Sequence, residues 1–531
     1  MKYPSRTLSL LVAGALLVSM AGCSSNTASS SASSAAASVL AAEESTLSLA
    51  GATALTFTDS GISAAEGDYS GYAIEGTALT INAPGTYVLS GSCADGSVTI
   101  KAETEGVTLV LNGLDLTSTT TAPIVCGKST GVTIAVYGGT QNTLADTAAN
   151  DKDGTNASAD AESAVLKCKD GSQVVLCGSG TLNITAAGKN GIKSGTENEG
   201  RAASLTIREL TLNIDAPVND AINAEQTLEV ESGTLNISAG DDALHSDYTL
   251  NIGAADTAGP VITISACNEG LEGAELNIFS GTIDITATDD CLNAANGDLT
   301  DYAFSMNISG GTINAYTSGG DGFDSNGSLT ISGGNITVWT ANTADNQPLD
   351  ADGTITITGG TVLAAGGSAG MGYTIDASQG YVTYGGMGAA STVRLTNGSA
   401  FTITDASGST VYSGTALCDA NYLFYCAADL AADSEYTLAA GSTTLAAATA
   451  QTGTTRATFG GMGGGTPGMT PPDDAANGQT PPAMNGGAPG GQAPDGQGGT
   501  PPEKPAGTPS GTPPEMPAQN NATSQAEIAA G

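Results

Sequence analysis

Gly233-Thr-Leu-Asn-Ile-Ser-Ala-Gly-Asp-Asp-Ala-Leu-His-Ser246 is one copy of a two-part pattern that recurs through the middle of the chain. Its first part returns as Gly180-Thr-Leu-Asn-Ile-Thr, Gly281-Thr-Ile-Asp-Ile-Thr and Gly311-Thr-Ile-Asn-Ala-Tyr, with looser copies at Leu210, Val261 and Gly334. The first apolar position falls at Leu182, Leu212, Leu235, Ile262, Ile283, Ile313 and Ile336, in steps of 30, 23, 27, 21, 30 and 23 residues. Steps of that size are one repeat of a stacked array with loop insertions. Within each copy apolar residues alternate with Asn, Thr, Ser or Asp. A period of two means a β-strand with one buried face and excludes an amphipathic helix.

The second part reads Asn190-Gly-Ile-Lys, Asn219-Asp-Ala-Ile-Asn-Ala, Asp241-Asp-Ala-Leu-His-Ser, Asn268-Glu-Gly-Leu-Glu-Gly, Asp289-Asp-Cys-Leu-Asn-Ala and Gly320-Asp-Gly-Phe-Asp-Ser, and more loosely Asn346-Gln-Pro-Leu-Asp-Ala. One apolar residue keeps its place: Ile192, Ile222, Leu244, Leu271, Leu292, Phe323 and Leu349. A third short strand follows in most repeats, as in Ser328-Leu-Thr-Ile-Ser and Thr354-Ile-Thr-Ile-Thr. Three short strands per repeat, with Gly or Asn at the corners, predict an all-β chain wound as a right-handed parallel β-helix over 46–390. Each turn needs a neighbour about 4.8 Å away to satisfy its backbone, so equivalent side chains form ladders. Thr108–Leu111 and Val132–Tyr137 read as the first turns. Residues 46–92, with Thr86-Tyr-Val-Leu-Ser, read as a cap on the open end, because an exposed sheet edge invites aggregation.

Outside the repeat the composition changes. Lys2 and Arg6 precede an apolar run from Leu8 to Met20 and then Ala21-Gly22-Cys23. The run is short for a membrane span, and small residues before a cysteine suit lipoprotein processing. Residues 1–22 therefore read as a signal peptide, Cys23 as the lipidated residue and 23–45 as a Ser/Ala-rich tether too polar to fold. The protein is expected at a bacterial cell surface, touching the membrane only through its lipid. Phe401-Thr-Ile-Thr, Tyr422-Leu-Phe-Tyr and Tyr436-Thr-Leu place a small antiparallel cap or β module at 391–452. In 453–531, which holds 14 of the 20 prolines, the composition is that of a disordered tail, a passive spacer or a contact with the cell wall. Eight cysteines besides Cys23 lack zinc spacing; several occupy small-residue positions of the repeat and read as buried thiols, with Cys418 and Cys426 placed to pair across a hairpin.

The 531 residues carry 53 Asp and Glu against 14 Lys and Arg, a formal charge of −39. Such a field excludes nucleic acid and repels anionic membranes. Aromatics are 4% of the chain while 73 residues are glycine, about twice the usual glycine share. That material does not build a helical enzyme core, whereas narrow ladders of Leu, Ile, Ala and Ser can fill a solenoid. The chain is expected to act as a monomer.

Superposing the second parts puts Asp220, Asp242, Glu269, Asp290 and Asp321 in one column and Asn223, His245, Glu272, Asn293, Asp324 and Asp350 in another, flanked by Asp241 and Asp289. Carboxylates at one-turn spacing repel and disfavour each other's ionised forms. No Lys or Arg occurs between Arg208 and Arg394 to offset them. Hard cations with oxygen ligands fit, since Ca²⁺ takes 6 to 8 oxygens at about 2.3–2.6 Å. The predicted ligands are Asp220, Asp241, Asp242, Glu269, Glu272, Asp289, Asp290, Asp321 and Asp324, with His245 an exposed neighbour. Tyr316 and Trp339 fall on adjacent turns of an outward strand column, where they read either as a sugar-stacking platform or as an aromatic pair covering a cap.

In the order of Gly85-Thr-Tyr-Val-Leu-Ser-Gly, Val107-Thr-Leu-Val-Leu-Asn-Gly, Asn142-Thr-Leu-Ala-Asp, the repeated Gly-Asp-Asp/Gly-Ile/Leu element and Ile308-Ser-Gly-Gly-Thr-Ile, residues 46–380 resemble bacterial parallel β-helix carbohydrate-binding proteins. The resemblance implies binding of cellulose and pectic polygalacturonate, bound calcium and a fold like that of calcium-dependent pectate lyases. Two enzyme readings compete. A lyase needs an unprotonated base, for which Lys189, Lys193, Arg201 and Arg208 stand at one end of the ladder. A β-helix glycoside hydrolase is echoed by Gly240-Asp-Asp-Ala-Leu and Thr288-Asp-Asp-Cys-Leu, but its Gly-His-Gly and Arg-Ile-Lys elements have no counterpart, and in a ladder almost any carboxylate separation occurs. A surface adhesin or stalk is a third alternative. The reading preferred from the sequence is a non-catalytic, calcium-dependent binder of plant cell-wall polysaccharide, acidic pectin above all.

Overall fold

A computed structural model describes residues 49–64, 71–341, 346–366, 374–386 and 393–456. The expected signal peptide, Cys23, the tether and the tail from 457 onward lie outside them. The described residues are all-β, with one three-residue 3-10 turn at Ala148–Asn150 and no α-helix.

Each repeat strand pairs in parallel with its equivalent in the next repeat. Gln141–Ala145, Thr181–Thr185, Thr211–Ala216, Thr234–Ala239 and Val261–Ala266 form one such series, which continues through Thr282–Ala287, Thr312–Thr317, Asn335–Thr340 and Thr361–Gly366. The second parts make another series, from Ile124–Cys126 through Ala164–Cys168, Asn190–Ser194, Ile222–Ala224 and Leu244–Ile252 to Phe323–Ser325. The third runs from Gly131–Val136 through Gln173–Gly178, Ser204–Arg208 and Thr227–Val230 to Ile355–Ile357. All three belong to one 34-stranded sheet and bury their alternate apolar residues in a single core. Leu182, Ile192 and Leu205, one from each series, are all fully buried.

In-register stacking explains details of composition. Amides chain along a column, Asn236 to Asn213 and Asn213 to Asn183 at 2.8 Å each, so each is satisfied by its equivalent one repeat away. The buried position next to the first acidic column carries Gly191, Ala221, Ala243, Gly270, Cys291 and Gly322. At Gly322 a Cβ would run into the Pro348 carbonyl and the Val338 side chain, so that copy tolerates little more than hydrogen, whereas the copies at Ala221, Ala243 and Cys291 take a small side chain. Cys291 is there because a thiol is small.

The ends depart from expectation in places. Thr53–Thr58 pairs antiparallel with Gly61–Ala64, and Tyr72–Glu75 with Ala78–Ile81, as a cap would. Parallel pairing already begins inside the stretch expected as cap, where Thr53–Thr58 pairs with Gly85–Cys93 and Ala78–Ile81 with Ser97–Ile100. At the far end Ala400–Asp405, Thr410–Thr415, Glu435–Ala440 and Thr443–Thr449 form a separate four-stranded antiparallel sheet. Tyr422–Cys426 and Gln451–Arg456 instead join the large sheet by antiparallel pairing, the latter extending past residue 452. Cys418 and Cys426 are both free: the Cys418 thiol donates to the Thr340 carbonyl at 3.3 Å, and Gln379 Nε2 donates to the Cys426 sulfur at 3.4 Å.

Because Leu271 is fully buried in the invariant apolar column, Leu271→Ala is expected to cost about 2–5 kcal/mol through lost burial and an unfilled cavity. Denaturant unfolding of the described region measures it.

Candidate functional site

The second parts turn a corner in which two inward residues separate two outward ones. In Asp242-Ala243-Leu244-His245 the middle pair is fully buried, and Asp242 and His245 share the outer surface. Backbone hydrogen bonds lock this corner to the next: the amides of Ala221, Ala243, Gly270 and Cys291 donate to the carbonyls of Asp242, Glu269, Asp290 and Asp321 at 2.9–3.2 Å. Asp220, Asp242, Glu269, Asp290, Asp321 and Gln347 therefore stand in one column. The strand register puts Lys167, Lys193, Asn223, His245, Glu272, Asn293 and Asp324 in the second, and a bridge between Phe323 and Leu349 adds Asp350. Asp241 and Asp289 are exposed at the preceding turn, and neither joins a cluster of potential ligands.

The carboxyls pay for their burial in proton affinity. Burial raises Asp220 to about 6, with Asp242 adding to it. Burial likewise raises Glu269 to about 8, Asp290 to about 7, Asp321 to about 7 and Asp324 to about 6. Desolvation is the main cause throughout and the neighbouring acids reinforce it.

His245 differs from its expected role as an exposed neighbour. Its Nδ1 lies 3.1 Å from Asp242 Oδ2 and its Nε2 2.9 Å from Asp247 Oδ1, while Nδ1 also contacts Glu272. Burial opposes its charge, but the hydrogen bonds to Asp242, Asp247 and Glu272 prevail and push it up to about 12. An imidazolium thus provides an internal salt bridge on a face expected to have none. Ligand atoms of Asp242, His245 and Glu272 also lie within 4.8 Å of one another, an arrangement that could itself hold a metal ion.

Three repeats further on there is no such cation among the described residues. Ligand atoms of Asp321, Asp324 and Asp350 lie within 4.8 Å of one another, and among the described residues no ion pair reaches them. Gln347, 6% exposed, spans the cluster: its backbone amide donates to Asp321 and its Nε2 donates to Asp350 Oδ2 at 3.0 Å. Its Oε1 is buried without a hydrogen-bond partner. A buried acceptor without a donor is costly unless a cation or a water faces it. Asn293 repeats the arrangement, with Nδ2 donating to Glu269 Oε2 at 2.9 Å and a buried, unpartnered Oδ1. The donor set at Asp321, Asp324, Asp350 and Gln347 is all oxygen and fits a hard divalent cation. Asp350 and Gln347 were absent from the predicted ligand set; their signal was the loosest copy of the pattern, Asn346-Gln-Pro-Leu-Asp-Ala.

The aromatic pair is a correction. Tyr316 and Trp339 are neighbours in register, but Trp339 is 1% exposed and packs edge-on against Phe401 at 5.9 Å between ring centroids. Tyr316 lies partly buried beside the same cluster. The C-terminal antiparallel sheet folds over this face, so Trp339 seats the cap and offers no ring to a sugar.

Three parallel strand series around one core, with a stacked acidic corner, define a repeat protein that presents polar ladders. The chain belongs to the carbohydrate-binding domain-containing protein family, whose sequence profile matches residues 75–370 and 256–490. No curated protein matches it. Among solved structures it is similar to the polysaccharide lyase-like protein from C. thermocellum, a gadolinium derivative, at 21% identity over 57% of this chain and 96% of that one, with a TM-score of 0.31.

The acids make the metal-free protein pH-sensitive. Carboxyls that titrate near 6 to 8 when folded and near 4 when unfolded bind more protons in the native state, so stability grows as pH falls through that window. His245 acts in the same direction: its contribution is complete below its unfolded value of 6.5 and is lost progressively as pH rises toward about 12. The melting temperature of chelator-treated protein is expected to rise between about pH 8 and about pH 5, and saturating calcium is expected to flatten that dependence.

Proposed function

We propose that the chain is a non-catalytic, calcium-dependent binder of plant cell-wall polysaccharide, with polygalacturonate preferred and cellulose second, held at the bacterial surface by lipid on Cys23. In this reading the three strand series wind as a right-handed parallel β-helix, the hand that nearly all parallel crossovers adopt. Family membership supports carbohydrate binding. The observation that carries the calcium is the buried, unpartnered Gln347 Oε1 among Asp321, Asp324 and Asp350. These four residues would hold the ion, and calcium supplies a positive charge with coordination positions left for uronate carboxylates.

The bases suggested for a lyase are engaged elsewhere. Lys189 pairs with Asp153 at 2.8 Å, Lys193 with Glu225 at 3.0 Å and Arg208 with Glu231 at 3.8 Å, and Arg201 pairs with Glu105. One residue favours β-elimination: Lys167, stacked on Lys193, whose amine is pushed down by burial and by that neighbour. Incubation with polygalacturonate while following the absorbance of unsaturated uronate separates the two; no product is expected, and product that disappears in Lys167→Ala would establish the lyase.

Polygalacturonate pull-down with and without EDTA tests the binding. Retention in calcium, loss in EDTA and unchanged circular dichroism are expected, and Asp350→Asn should raise the calcium required for half retention by about tenfold or more by removing ligand charge. Equal retention in EDTA would overturn the calcium bridge.

A further inference from the structure

Among the described residues, the link between the second and third strands of a repeat varies: Leu244–Ile252 and Leu271–Ile278 run through without one, two residues separate Ile222–Ala224 from Thr227–Val230 and Phe323–Ser325 from Ser328–Ile331, and nine separate Asn190–Ser194 from Ser204–Arg208. After Leu292–Ala294 it is ten, residues 295–304. This insertion reaches back across the intervening repeat, whose corner is the small buried pair Gly273 and Ala274, to the corner that carries Tyr248. Asn296 Nδ2 donates to the Asp247 carbonyl at 2.8 Å, and Tyr302 Oη donates to Glu275 Oε1 at 2.7 Å. The result is an aromatic trio. Tyr248 and Tyr302 meet edge to face at 6.3 Å between centroids, and Tyr302 and Phe304 meet at 5.4 Å and 54°.

None of the three rings belongs to a buried core cluster. Tyr248 is 40% exposed and the other two are half-buried. In a chain with so few aromatics, a long surface loop that brings Tyr302 and Phe304 to Tyr248 on the strand Leu244–Ile252 needs a reason other than the core. Insertions of a repeat array commonly build its binding face. The rim is polar, with the carboxylates of Asp247 and Glu275 as acceptors, and Asp247 bonds His245 in the acidic column. A ring face flanked by hydrogen-bond acceptors matches a pyranose, which offers a C–H face and a girdle of hydroxyl donors. A second copy of this chain fits poorly, since it would bring its own charge of −39 against the same acidic surface.

We propose that Tyr248, Tyr302 and Phe304 form a stacking platform for pyranose rings of the bound polysaccharide, beside the acidic column and in the role first expected of Tyr316 and Trp339. The proposal rests on the carbohydrate-binding reading above.

The test is affinity electrophoresis of the mature chain in calcium-containing gels with soluble polygalacturonate or hydroxyethyl cellulose. Tyr248→Ala is expected to weaken binding to at least one polymer by about tenfold, as lost ring contact and burial would. Tyr248→Phe is expected to bind like the wild type, because stacking needs the ring and not its hydroxyl. Phe304→Ala is a second, independent truncation, and melting curves report whether each variant folds. Wild-type affinity for both polymers in both truncations would overturn the platform while leaving carbohydrate binding intact. Equal loss in Tyr248→Phe and Tyr248→Ala would also overturn stacking. A wild type that binds neither polymer would overturn the binding function and the platform together.

Discussion

Parallel strands in register set everything of the same kind at the same spacing, about 4.8 Å, and a stacked chain cannot place one acid without deciding what lies above and below it. In the core this constraint is favourable: Ile192, Ile222, Leu244, Leu271, Leu292 and Phe323 bury one another. It is favourable too for neutral amides, which chain as Asn236, Asn213 and Asn183 do. For carboxylates it is adverse. Asp220, Asp242, Glu269, Asp290 and Asp321 are stacked at the unit spacing and partly desolvated, and their raised proton affinities express that conflict.

The molecule resolves the conflict differently along its length. Near the start of the columns Lys193 and Glu225 pair at 3.0 Å. In the middle a single imidazolium serves Asp242, Asp247 and Glu272. Toward the end Asp321, Asp324 and Asp350 have neutral amide donors from Gln347 but no cation among the described residues. The proposed calcium site lies in the C-terminal half of the face, where no internal cation is present among the described residues.

Much of the fold was legible because period two and a repeating step are local properties of the chain. The apolar column, the two acidic columns and the small-residue place of Cys291 all followed from alignment of one repeat on the next. What was not legible depended on side chains reaching between repeats or on distant segments. His245 is charged because Asp247, two residues on, and Glu272, one repeat on, turn toward it. Trp339 is covered because Phe401 arrives from a sheet formed some sixty residues later. Gln347 and Asp350 sat in the copy that departs furthest from the pattern, where Gln stands in the column that carries Asp or Glu from Asp220 to Asp321.

Equilibrium dialysis of metal-stripped protein against calcium near neutral pH bears most directly on the role of the acidic columns. Saturable uptake of at least one ion per chain is expected, accompanied by proton release, because carboxyls that hold protons near pH 7 must give them up to a cation. A chain that takes up no calcium, and releases no protons when calcium is added, would contradict the central role given to a cation on this face.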